Sequence, residues 1–185
     1  MGRAKALLPW GETTVLGQVL ASLHQSDVDA VVVVTPDGAG AVAEIATVAG
    51  ARVVPNPDGL KGGMTGSLQA GLRAADHACT AVLVLLADQP MIGPATINAV
   101  VAAHAADGHQ LVAAAHRGLQ GHPVLFAKAY FDELLALAPD GAPRGVLARH
   151  ANEVRLVEAG SAVVLADLDT PEAYARWARE FKTAV

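Results

Sequence analysis

Thr80-Ala81-Val82-Leu83-Val84-Leu85-Leu86-Ala87-Asp88-Gln89-Pro90 is the stretch that decides the fold. Its unbroken apolar and β-branched run has no polar face, so it describes a strand covered on both sides, and it stops at a carboxylate followed by a turn. A second run of the same kind, Asp29-Ala30-Val31-Val32-Val33-Val34-Thr35, lies upstream. Both read as inner strands of a parallel sheet. Between and around them apolar residues recur three and four apart, at Val15, Leu16, Val19, Leu20 and Leu23, at Val42, Ile45, Ala46 and Val48, at Leu68 and Leu72, and at Ile97, Val100, Val101 and His104. That spacing predicts amphipathic helices. Gly50 sits where a helix C-cap is expected, and Pro94 and Pro171 where a first helical turn tolerates a missing N–H. Further strands are expected over residues 52–54, 110–114, 123–126, 153–157 and 162–165. The alternation implies an α/β fold with right-handed crossovers. No repeat, low-complexity tract or linker divides the sequence, so residues 1–185 read as a single domain.

Composition excludes several classes. The chain has 185 residues, 13 Lys plus Arg against 18 Asp plus Glu, and a formal charge of −5. An acidic balance without clustered cations argues against nucleic acid as a partner. Aromatics make up only 4% of the residues, which leaves few rings for stacking on bases. The longest apolar runs fall far short of the ~20 residues that cross a bilayer, and no signal-peptide pattern opens the chain. Cys79 is the one cysteine, which excludes a disulfide framework and a Cys-rich zinc site and suits a reducing compartment. The expectation is a cytoplasmic protein with no membrane partner.

In such a sheet chemistry gathers at the carboxyl ends of the strands. Gly2-Arg3-Ala4-Lys5-Ala6-Leu7-Leu8-Pro9 sets two cations before a short apolar stretch, and reads either as a phosphate-neutralising segment or as a frayed basic terminus. Asn56-Pro57-Asp58-Gly59-Leu60-Lys61-Gly62-Gly63-Met64-Thr65-Gly66-Ser67 leads into a helix expected to begin near Ser67. Its glycines let backbone N–H groups approach an anion at a helix N-terminus. It does not match the G-x-x-x-x-G-K-[ST] phosphate loop, and it reads equally as a ligand-free surface loop.

Asp88 ends the most hydrophobic strand, where a hard cation such as Mg²⁺ finds a rigidly held oxygen ligand. Asp167-Leu168-Asp169-Thr170-Pro171-Glu172 alternates two carboxylates before a helix. Either Asp169 or Thr170 caps that helix, and the other carboxylate is free to complete a metal site with Asp88. Gly38-Ala39-Gly40-Ala41-Val42-Ala43 fits the permissive dinucleotide fingerprint, but no acidic residue closes a second strand at the required distance. The seven histidines show no metal-ligand spacing. His122, in Gly118-Leu119-Gln120-Gly121-His122-Pro123, reads as a pocket residue or as a turn residue bonded to backbone, and Cys79 as a structural thiol.

Five ordered blocks resemble the MobA-like nucleotidyltransferases, in the branch that contains molybdenum cofactor cytidylyltransferase. They are Met1-Gly2-x-x-Lys5-x-Leu7-Leu8-Pro9, Asn56-Pro57 with Gly63-Met64-x-x-Ser67-Leu68-x-x-Gly71-Leu72, Leu86-Ala87-Asp88-Gln89-Pro90, Gly121-His122-Pro123-Val124-Leu125-Phe126, and Asp167-Leu168-Asp169-Thr170-Pro171-Glu172-x-Tyr174. The resemblance implies a three-layer Rossmann-like, mostly parallel sheet of the nucleotide-diphospho-sugar transferase type. It implies transfer of CMP from CTP to a phosphorylated acceptor such as molybdopterin, with Mg²⁺ as cofactor, release of pyrophosphate, and a molybdenum hydroxylase as a possible recipient. Lys5 and Asp88 would be catalytic. Lys5, Asn56, Gly62, Gly63, Ser67 and Asp88 would bind the nucleotide, Gly121, His122 and Pro123 the acceptor, and Asp88 with Asp169, joined by Asp167, the metal.

Members of that family begin with a strand and a Leu-Ala-Ala-Gly-x-Ser-x-Arg loop that this sequence lacks. The expected fold is therefore one without its first, interior strand, and Met1 is expected to be a mis-assigned start. Two other readings accompany the transferase: an enzyme like the nicotine blue oxidoreductases of a neighbouring branch, and a non-catalytic chaperone that carries the molybdenum cofactor.

Overall fold

In a computed structural model, which describes residues 4–58, 61 and 63–184, strands and helices alternate as the hydrophobic pattern requires. The strands are β1 (Pro9–Trp10), β2 (Thr13–Thr14), β3 (Val32–Thr35), β4 (Arg52–Pro55), β5 (Ala81–Val84), β6 (Leu111–His116), β7 (Leu119–Ala127) and β8 (Val154–Glu158). The helices are α1 (Val15–His24), α2 (Gly40–Val48), α3 (Gly63–Ala74), α4 (Pro94–Asp107), α5 (Phe131–Leu135), α6 (Pro143–Arg149) and α7 (Pro171–Ala184). Gly62, and Met1, Gly2 and Arg3 of the N-terminal block, lie outside the described residues.

The main sheet has the order β5-β7-β6-β8. β6 and β8 pair in parallel, and β7 runs against both β5 and β6, so β7 alone is reversed. Period-2 alternation sends successive side chains to opposite faces. Leu111, Ala113, Val124 and Phe126 pack with Leu72, Tyr130, Leu134, Val146 and Leu147, under α3, α5 and α6. Val112, Ala114 and Leu125 pack on the other face with Val100 of α4 and with Val164. Three layers result.

A second piece, β3 paired in parallel with β4, is covered by α1 and α2 through Leu16, Leu20 and Ala46. Among the described residues no pairing joins β3 to β5, and the sheet is split there. Both strands were patterned as interior, yet all four β5 residues are only half-buried and Val32 of β3 is 36% exposed. In β6, which has a neighbour on each side, the first five residues are fully buried. The two strands flanking the gap keep apolar side chains with one ladder unpaired among the described residues.

Three local expectations are corrected. Residues 162–165 form a 3-10 helix, Ala162–Leu165, and not a strand; Ser161 Oγ accepts a hydrogen bond from Val163 N and starts the turn. α3 begins at Gly63, whose φ of +54° only glycine adopts easily, so Ser67 lies inside the first turns and not at the start. His122 sits within β7 and not in a turn before it. The β6–β7 register shifts between Ala113 and Ala115, opposite Pro123, which has no N–H to give the ladder.

α7 closes the molecule against the β1–β2 hairpin. Trp10, Val15 and Leu168 are fully buried beneath Tyr174, Trp177 and Phe181, and Trp10 lies 5.4 Å from the Phe181 ring. No helix among the described residues is long and apolar enough to cross a membrane.

Candidate active site

Three segments far apart in sequence bring Lys5, Asp88 and Asp169 together. Beyond β5 the chain runs through Leu85 and Leu86 and turns at Ala87 and Asp88, where Gln89 N donates to Leu86 O at 3.2 Å. Lys5 opens a 3-10 turn, Lys5–Leu7, which is followed by the β1–β2 hairpin. The strap 166–170 descends from the 3-10 helix Ala162–Leu165. Fully buried Leu168 anchors it and turns its neighbours Asp167 and Asp169 outward, as the i, i+2 spacing requires. Thr170 Oγ1 accepts from Ala173 N at 3.1 Å, so the threonine caps α7 and Asp169 is left for other work. Asp167 Oδ1 accepts from Asp169 N at 3.3 Å and shapes the strap.

Lys5 Nζ donates to Asp169 Oδ1 and lies 3.5 Å from Asp88 Oδ2. The hydrogen bond to Asp169, helped by the charge of Asp88, raises the Lys5 pKa above its ordinary value against a lesser effect of burial. The ammonium is therefore charged at any physiological pH. A cleft of about 450 Å³ opens beside it, lined by Lys5, Ala6, Met64, Leu86, Ala87 and Asp88. Burial holds the His122 imidazole below its usual pKa, while Asp88 pulls in the opposite direction. At neutral pH His122 is uncharged.

The glycine segment contributes differently from its reading in sequence. Asn56 is buried; its Nδ2 donates to Ser67 Oγ at 3.3 Å and its Oδ1 accepts from Asp58 N at 3.1 Å. It braces the loop. A Cβ on Gly66 would come within 3.2 Å of that amide, so this glycine admits the brace. Ser67 Oγ donates back to Gly63 O at 2.9 Å. Pro123 is buried, and a Cβ on Gly121 would run into the Val164 carbonyl, 2.6 Å from its carbon, so Gly121 serves the packing of the 3-10 helix Ala162–Leu165 on β7. The fingerprint residues Gly38, Ala39 and Gly40 line a separate opening with Ala43, Glu44, Thr47 and Val48.

Among the described residues no cluster of three or more His, Cys, Asp and Glu side chains could hold a metal by itself. Two carboxylates converging on one cation nevertheless fit an ion that takes one or two protein oxygens and fills its shell with water and phosphate. Sequence reasoning passed over Met64 and Gln89. The signal for Gln89 was available: an amide that follows an apolar strand needs a buried partner, and its Nε2 donates to Ala166 O at 2.8 Å.

An α/β fold with a carboxylate just beyond β5 and an acidic strap beside it fits the class of the Rossmann-like nucleotidyltransferases. The chain belongs to the MobA-like NTP transferase family, whose model matches residues 1–154. It is 28% identical to Mth528, a nucleotidyl transferase from Methanothermobacter, over 98% of this chain and 86% of that one, with a TM-score of 0.82. It is 28% identical to Rv0371c of Mycobacterium tuberculosis H37Rv, solved as a complex with manganese, over 96% of this chain and 93% of that one, with a TM-score of 0.73. The 4-diphosphocytidyl-2C-methyl-D-erythritol synthase of Anaerococcus prevotii shares the fold at 16% identity and a TM-score of 0.74, over 95% and 88% of the two chains. No curated protein sequence matches.

Proposed function

We propose that this protein transfers CMP from CTP to a phosphorylated acceptor of the molybdopterin type and releases pyrophosphate, with Mg²⁺ as cofactor and a molybdenum hydroxylase as the recipient of the product. The observation that carries the reading is the Lys5 ammonium held between Asp88 and Asp169 at the mouth of the cleft. A cation already suspended between two carboxylates marks the point at which a second cation and a polyphosphate fit together.

In the reaction an acceptor phosphate oxygen attacks the α-phosphorus, the bond from that phosphorus to the β-bridging oxygen breaks, and pyrophosphate departs with the electron pair. The acceptor arrives as an anion, so no general base is required. A divalent ion bound by Asp88 and Asp169 would neutralise charge on the triphosphate. Lys5, released from Asp169 as the triphosphate enters, turns its ammonium to the phosphates and stabilises the charge that accumulates on them. Asn56 holds the glycine segment and Ser67 in place along the nucleotide. His122, whose imidazole is held below its usual pKa by burial, would offer the acceptor a hydrogen bond without repelling the metal. The protein supplies positioning and charge, which is what phosphoryl chemistry needs most.

The test is pyrophosphate release with Mg²⁺ and molybdopterin, with CTP, GTP and ATP offered in turn. Release that is fastest with CTP supports the reading. Turnover of the dye nicotine blue with a nicotinamide, and no pyrophosphate, would replace it with the oxidoreductase; pterin binding without turnover would replace it with the chaperone.

A further inference from the structure

We infer that Gln89 is a positioning residue for the proposed transfer: its side-chain amide ties the Asp88 turn to the strap and so fixes the Asp169 carboxylate beside Asp88. The inference rests on the metal reading of those two carboxylates given above. Gln89 directly follows Asp88 and is 3% exposed. Its Nε2 donates to Ala166 O at 2.8 Å, bridging positions 77 residues apart in sequence. Its Oε1 is buried and has no hydrogen-bond partner. A buried amide that satisfies only half of its capacity is a poor choice for stability alone, since a methionine fills the same volume with no polar oxygen to leave unmet. What the glutamine adds over that methionine is the tie to Ala166.

The strap does not need the tie in order to fold. Leu168 is fully buried against Trp10 and Val15, and Ala166 N donates to Val163 O at 3.1 Å. What Gln89 sets is the position of the strap relative to β5. Two further links join the segments: Met91 packs against the cluster that holds Leu168, and the Lys5 ammonium bridges Asp88 and Asp169. In the proposed reaction that ammonium leaves for the phosphates, and the tie made by Gln89 is then the hydrogen bond that keeps the carboxylates in register. Partners one shell removed from a metal set its affinity through the orientation of its ligands.

The test is a Mn²⁺ titration of the full chain followed by electron paramagnetic resonance, without nucleotide, on the wild type and the variants Gln89→Met, Asp88→Asn, Asp169→Asn and Gln89→Met/Asp169→Asn. Thermal melts in EDTA accompany it. Gln89→Met should weaken Mn²⁺ binding roughly tenfold, with the melting temperature held within about 2 °C of wild type. In the Asp169→Asn background the same change should cost nothing further, because Gln89 acts through Asp169. Unchanged Mn²⁺ affinity in Gln89→Met would overturn the inference, as would an equal further loss in the Asp169→Asn background. So would a fall in melting temperature that accompanies the loss, which marks a merely structural amide. If the wild type binds no Mn²⁺, or Asp88→Asn binds it as well as wild type does, the metal reading and this inference fall together. Loss in Asp88→Asn beside unchanged binding in Gln89→Met overturns the inference alone.

Discussion

Gly121→Ala tests whether the site depends on close packing between β7 and the segment that carries Asp169. The added Cβ would run into the Val164 carbonyl oxygen, and would lie 2.6 Å from the carbon of that carbonyl and 3.1 Å from Leu165 Cδ2, where ordinary contact begins near 3.4 Å. The Val164 carbonyl is backbone, so no rotamer change relieves the clash, and the 3-10 helix must retreat by more than about 1 Å. Overpacking on that scale costs about 1–3 kcal/mol. At about 2–4 °C per kcal/mol for a chain of this size, the melting temperature should fall by roughly 2–12 °C. The retreat also carries Ala166 and Asp169 away from Asp88, and a displacement near 1 Å at a reacting centre can reduce turnover by about 10²-fold.

The assay pairs differential scanning calorimetry with nucleotidyl transfer, and uses Gly145→Ala as the control. Gly145 lies inside α6 with only Arg149 Nη1 at 3.6 Å from its virtual Cβ, so alanine there should raise stability by up to about 1 kcal/mol. A Gly121→Ala protein that melts and turns over like wild type would refute the reasoning.

Two further predictions concern the frame around the site. His150 donates through one nitrogen to Glu133 at 2.9 Å and through the other to Glu153 at 3.1 Å, and these carboxylates raise its pKa while their own are lowered. A raised folded pKa gives stability that is fully present below the unfolded value near 6.5 and is lost as pH rises through the folded value. The melting-temperature gap between wild type and His150→Ala should therefore be widest near about pH 5.5 and narrow as the pH climbs past the folded pKa; a gap that widens with pH would contradict the pairing. Hydrogen exchange should find the amides on the unpaired sides of β3 and β5 exchanging much faster than those of β6, which has partners on both sides. Equal protection across the three strands would show that the sheet is not divided.

The layers and most helices were legible because period and composition are local properties. Val15 to Leu23 and Pro94 to His104 carry the 3.6-residue repeat, and Thr80 to Ala87 carries the unbroken apolar run, so α1, α4 and β5 follow from the residues themselves. The pairing of Asp88 with Asp169 was anticipated from the strand end and from the alternation around Leu168. That Thr170 and not Asp169 caps α7 required geometry. The 3-10 helix at Ala162–Leu165 was hidden because Ala-Val-Val-Leu has strand composition; the Ser161 cap starts it, and Gly121 admits its close packing on β7. α5 and α6 escaped because neither spans enough residues to show a period. Asn56 read as a nucleotide contact, and the bonds of its amide to Ser67 and to Asp58 N could not be read from the sequence. A sequence reveals which residues can bind an anion but not which have already found a partner in the chain.

The central claim is that Asp88 works on a nucleotide's phosphates. The direct measurement is pyrophosphate release from CTP, with Mg²⁺ and molybdopterin, by wild type and Asp88→Asn proteins of matching circular dichroism. The account predicts release by the wild type and none above background by the variant. Equal release by the two proteins would contradict it.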